Sequence, residues 1–122
     1  MKIYKEDVKR IIAHAFGGTD QYYRNDIYPF YYTDGVRNIV NLGAFWILDL
    51  INSYQPKHKN VMFQVWELEV NEKESSAVMI MYDGINGNKE SPIVNQKIPY
   101  TDFPCNITFY LENNILYLPI ED

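Results

Sequence analysis

A chain of 122 residues with 47% hydrophobic and 22% charged residues has the composition of one globular domain over residues 1–122 and is too apolar for disorder. Its net charge of −5 argues against an electrostatic nucleic-acid binder, which needs a basic footprint to displace counterions. A lone cysteine, Cys105, excludes an internal disulfide and a cysteine-built zinc site, and fits a cytoplasmic protein.

The first residues interleave Lys2, Lys5, Lys9 and Arg10 with Glu6 and Asp7, and hold no apolar core of the length a targeting signal needs. Tyr4, Val8, Ile11, Ile12 and Ala15 recur at helical spacing and predict an amphipathic helix over residues 4–15. Gly17-Gly18 should stop it. The next segment reads Tyr-Tyr-Arg-Asn-Asp-Ile-Tyr-Pro-Phe-Tyr-Tyr over residues 22–32, a proline-interrupted aromatic cluster expected to be irregular. Aromatics make up 16% of the chain. So ring-rich a segment either caps the domain's own core or contacts something else.

Thr33 or Asp34 is placed to cap a second helix running to about residue 54. On a helical wheel Val36, Ile39, Val40, Gly43, Ile47, Leu50, Ile51 and Tyr54 share one face. Phe45 and Leu48 fall on the polar stripe with Asp34 and Asp49, and need a cover that the aromatic segment is nearest to supply. The longest apolar run, residues 42–48, is too short to cross a bilayer, so no membrane partner is expected. Pro56 should end this helix.

The rest reads as strands over residues 61–70, 77–83, 93–100, 107–111 and 115–120, with Asn113-Asn114 as a two-residue hairpin turn. Helices first and strands afterwards indicate an α+β fold, two N-terminal helices on one face of an antiparallel sheet of about four to five strands.

Several blocks resemble a family of small uncharacterised proteins met mainly in bacteria, phages and other mobile elements. The resemblance lies in Phe16-Gly17-Gly18-Thr19-Asp20, Tyr22-Tyr23-Arg24, Tyr32-Thr33-Asp34-Gly35-Val36 and the Gly43–Asp49 stretch, and continues in Phe63-Gln64-Val65-Trp66 and Tyr100-Thr101-Asp102-Phe103-Pro104. The family pattern has threonine at Gly17 and an aliphatic pair at Phe30-Tyr31. The family constitutes a domain of unknown function, so the resemblance implies an architecture and a mobile-element origin, and no activity.

No catalytic constellation is legible. His14 and His58, the only histidines, are far apart and show no metal-ligand spacing. The serines lack a nucleophile-elbow context, and Gly17-Gly18-Thr19 lacks the lysine of a phosphate-binding loop. Residues 83–88 lack the distal glutamate of a calcium loop. No metal and no cofactor is therefore expected. The preferred reading is a non-catalytic binding or protein-interaction module with an unknown protein partner or a second copy of itself. Its contact residues would be Tyr22, Tyr23, Arg24, Tyr31, Tyr32, Asp34, Phe45 and Asp49, since tyrosine and arginine dominate interface hot spots. The alternative is a small ligand-binding or enzymatic domain with Arg24, Asp34 and Asp49 gathered in a pocket walled by Trp46 and Trp66, between helices and sheet.

Overall fold

The computed structural model of the chain describes residues 2–25 and 29–122; Met1 and, within the aromatic segment, Asp26, Ile27 and Tyr28 lie outside the described residues. The first helix, α1 (Lys5–His14), forms as its periodicity predicts, with Val8 buried. Glu6 and Asp7 in its first turn and His14 in its last complement the helix dipole.

The aromatic segment departs from expectation. It contains two short strands, β1 (Tyr22–Arg24) and β2 (Tyr31–Thr33), paired antiparallel with Tyr23 opposite Tyr32. Thr33 then caps the next helix by accepting the Val36 N–H.

The expected long second helix is two helices, α2 (Asp34–Val40) and α3 (Phe45–His58), so among the described residues three helices and not two back the sheet. The break falls where Gly43 takes φ +115, a conformation that favours glycine and ends helices. The N–H groups of Gly43 and Ala44 both turn back to the Val40 carbonyl, at 3.1 and 3.0 Å. Pro56 does not terminate α3, which continues to His58. In the last turn a proline forfeits one backbone bond without preventing the remaining residues from staying helical.

Five strands follow: β3 (Phe63–Asn71), β4 (Ser76–Asp83), β5 (Val94–Ile98), β6 (Ile107–Glu112) and β7 (Ile115–Tyr117). Asn113 and Asn114 have φ 54 and 63, the paired left-handed residues of a tight type I′ hairpin turn. The last strand stops at Tyr117, short of the expected residue 120, and Pro119–Glu121 forms a 3-10 turn.

All seven strands join one sheet in the order β1-β2-β7-β6-β3-β4-β5. The sheet is mixed, since β2 runs parallel to β7 while every other pair is antiparallel. The expected antiparallel sheet of four to five strands is thus corrected to seven, and the difference is the β1–β2 hairpin docked on β7.

The two faces differ sharply. Trp66 lies opposite Met81 and Phe109, and Leu68 opposite Met79 and Ile107. These residues join Val8 of α1, Val36 and Ile39 of α2, and Ile47 and Ile51 of α3 in one apolar core. Each such side chain contributes about 1.5–3 kcal/mol when fully buried. Polar groups on this face are satisfied across the layer. The Gln55 and Gln64 amides exchange bonds of 2.9 and 3.0 Å, the Trp66 indole N–H donates to Gln64 at 2.9 Å, and the Tyr54 hydroxyl donates to Gln96 at 2.5 Å.

The other face carries Phe63, Val65, Glu67 and Glu69 of β3, opposite Tyr82, Ile80 and Val78 of β4 and Glu112, Tyr110 and Thr108 of β6. Among the described residues no helix covers it. The segment between β4 and β5 crosses part of it, where the Lys89 ammonium lies 2.7 Å from Glu69 and 3.7 Å from Glu67.

Candidate functional site

The blocks around Thr19 and Asp34 form a clasp. The Asp34 carboxylate accepts the Asp20 N–H at 2.8 Å, the Gln21 N–H at 3.3 Å and the Tyr23 hydroxyl at 2.8 Å. In return the Asp34 N–H donates to the Thr19 hydroxyl at 2.8 Å. The Tyr23 hydroxyl bond, followed by the Asp20 N–H, holds the Asp34 carboxyl below its ordinary value. Behind this, Glu121 seals the start of α2. Its carboxylate accepts the Thr33 hydroxyl at 2.6 Å, the Gly35 N–H at 3.1 Å and the Leu118 N–H at 2.8 Å. A Cβ at Gly35 would lie 2.8 Å from the Glu121 Cδ, so glycine there is what lets the carboxylate approach.

The hairpin splits the tyrosine cluster between the two faces. Tyr23 and Tyr32 point to the helix side, with ring centroids 5.7 Å apart, and the Arg37 guanidinium sits 4.3 Å over the Tyr23 ring. Tyr22, Arg24 and Tyr31 point to the helix-free side, where Tyr22 is 57% and Tyr31 48% exposed. At the end of β1, the Asn25 and Asn52 amides pair and tie the hairpin to α3.

The helix-free face carries a second aromatic row that continues this one. Tyr110 meets Phe63 and Tyr117 edge to face, with centroids 5.0 and 5.6 Å apart. Tyr117 donates its hydroxyl to Glu112 at 3.1 Å. Burial, and then Glu112, push the Tyr117 phenol well above its ordinary range, and burial followed by Glu67 raises Tyr82. Both phenols stay neutral across the physiological range. Where the row meets β2 and the Gly17-Gly18-Thr19 turn, a groove of about 380 Å³ opens, lined by Tyr22, Ile115, Tyr117, Glu112, Glu121 and Asp122 among others. A larger hollow of about 600 Å³ lies at the other end of the molecule, beside Lys2, Glu72, Tyr100 and Phe103, and holds none of the sequence-predicted site residues.

The eight predicted contact residues therefore divide. Tyr22, Arg24 and Tyr31 stand together on the open face; Tyr23 and Asp34 are joined inside the clasp, with Tyr32 against the Tyr23 ring. Phe45 on α3 is 49% exposed, so the expected cover over it does not form, whereas Leu48 is buried. Asp49 is exposed on α3. The pocket imagined between helices and sheet is not assembled. Trp66 is wholly buried in the core and Arg24 lies on the opposite face of the sheet. Sequence reasoning missed Phe63, Tyr82, Tyr110 and Tyr117; the signal was the alternation that puts Phe63, Val65, Glu67 and Glu69 on one side of a strand. Among the described residues no group of three His, Cys, Asp or Glu side chains gathers as a metal would require, and no helix is long and apolar enough to cross a membrane.

The fold and its clasp define a class of small α+β domain, a mixed sheet backed by helices on one face. Residues 12–122 match the pattern of a family of unknown function, DUF6876, and the chain belongs to that family. No curated protein and no solved structure matches it.

Proposed function

We propose that the chain is a non-catalytic binding module, one domain in a bacterium or mobile element, that takes a protein partner on the helix-free face of its sheet. The observation that carries this reading is the set of tyrosines on that face: Tyr117 stands opposite Tyr110, Tyr82 follows beyond Val65, and Tyr31, opposite Ile115, and Tyr22, opposite Thr33, extend the set to the sheet edge. Tyrosine supplies large contact area with little rotamer entropy to lose and a hydroxyl for orientation. An antiparallel or mixed sheet with one bare face ordinarily presents polar residues there, and rings standing in their place are what a partner would cover.

The test is affinity capture from host lysate with the wild type beside a Tyr22→Ser/Tyr31→Ser variant. Both side chains are exposed, so the variant should keep its Tm while losing the retained protein. The same proteins held equally by both would refute this contact surface.

A further inference from the structure

On the basis of that reading, we infer that the partner is a protein presenting an arginine or lysine, with the cationic head seated in the groove beside Glu112 and Asp122. Charge is unevenly distributed over the open face. At the β3–β4 end Lys89 pairs with Glu69 and lies near Glu67, and Lys97 of β5 stands opposite Val78 on the same face. At the β7 end the groove is lined by Glu112, Glu121 and Asp122 and by no basic residue; the cation on this side of the face is Arg24, opposite Tyr31 on the edge hairpin and outside the groove lining.

Of these three carboxylates, Glu121 is committed to Thr33, Gly35 and Leu118. Glu112 spends one oxygen on the Tyr117 hydroxyl, and Asp122 lies near enough to that phenol to help raise it. A cation there meets two carboxylates and the rings of Tyr22 and Tyr117, which line the same groove. Cation–π contact and a close charge pair both favour a guanidinium or ammonium over a neutral group. This chain already makes the same kind of contact internally, with Arg37 over Tyr23. Nucleic acid is disfavoured by the same carboxylates. A second copy is disfavoured because each carries a net charge of −5.

The test is a nuclear-magnetic-resonance titration of the ¹⁵N-labelled chain with a short peptide alternating arginine and threonine, beside the same peptide with citrulline at each arginine. The expected result is shifts gathered on Tyr22, Glu112, Ile115 and Tyr117, about tenfold weaker binding of the citrulline peptide, and a comparable loss for Glu112→Gln, which can still accept the Tyr117 hydroxyl. Equal binding of both peptides at this face would overturn the cation and leave the contact surface standing. No shift at millimolar peptide, or shifts gathered elsewhere, would overturn the inference, while the lysate capture judges the contact surface separately. Sedimentation showing a dimer that Tyr22→Ser/Tyr31→Ser dissolves would assign the face to a second copy and overturn it as well.

Discussion

Gly35→Ala is the most exacting test of the clasp, because helix propensity and packing predict opposite signs. By propensity alone, alanine within α2 should stabilise by roughly 0.8–1 kcal/mol. The added Cβ, however, would meet the Glu121 Cδ and the Leu118 Cδ1 at 2.8 Å each and the Glu121 Oε1 at 2.9 Å. Both are ends of flexible side chains, so the clash itself relaxes by rotating Glu121 away. What rotation loses is the carboxylate's set of bonds to Thr33, Gly35 and Leu118. Bonds to a charged group are worth about 1.5–3 kcal/mol each, and partial burial with rehydration of the freed carboxylate favours the low end. Losing two of the three, less the propensity gain, leaves a destabilisation of about 2–3 kcal/mol, or a fall in Tm of roughly 8–12 °C for a domain of this size. The assay is thermal unfolding followed by circular dichroism, with Glu121→Ala and the double variant completing a cycle. In the Glu121→Ala background the alanine at position 35 should cost much less. A Tm that rises in Gly35→Ala, or a cost unchanged when Glu121 is gone, would refute the account.

The carboxyl of Asp34 is held below its ordinary value chiefly by the Tyr23 hydroxyl, so its contribution is present above the unfolded value and lost as pH falls through the lowered folded one. Asp34→Asn should therefore flatten the fall in Tm on acidification below about pH 4, with the difference from wild type greatest near neutrality. Tyr23→Ala removes the Asp34 bond, the contact with the Tyr32 ring and the cation contact with Arg37, and should cost about 2–3 kcal/mol in denaturant unfolding. Its exposed neighbour, Tyr22→Ser, should leave the midpoint unchanged. Gln64→Leu strands the Trp66 indole N–H and half of the Gln55 amide, and should cost about 1–3 kcal/mol with a visible change in tryptophan fluorescence.

The legible parts of this fold are those whose periodicity is long enough to read. The first helix and β3 to β6 each carry several turns or alternations of apolar residues, and the Asn113-Asn114 turn names its own conformation and with it the position of the three-residue β7. The β1 and β2 strands are three residues each, too short for a period of two to stand out. Their docking partner β7 lies some eighty residues away in parallel, an arrangement no local window can contain. The break between α2 and α3 was hidden for the opposite reason. Val36, Ile39 and Val40 before it and Ile47 and Ile51 after it keep one apolar face, so the wheel runs smoothly through Gly43, the residue that takes the positive φ at the break.

The division of the tyrosines follows from the same missed hairpin, and it changes what the aromatic segment means. In an irregular loop, Tyr22, Tyr23, Tyr31 and Tyr32 are one cluster with one role, either lid or contact surface. In a two-stranded edge, neighbours point to opposite faces, so Tyr23 and Tyr32 are bound to structure while Tyr22 and Tyr31 are left on the surface. The structural reading describes Tyr23 and Tyr32, and only Tyr22 and Tyr31 remain available to the contact surface proposed above. A double substitution of adjacent tyrosines, such as Tyr22→Ala/Tyr23→Ala, would therefore confound loss of fold with loss of contact. Substitutions two residues apart along a strand, or opposite across it, keep to one face and separate the two effects, which is why the surface variant pairs Tyr22 with Tyr31 and the stability variant takes Tyr23 alone.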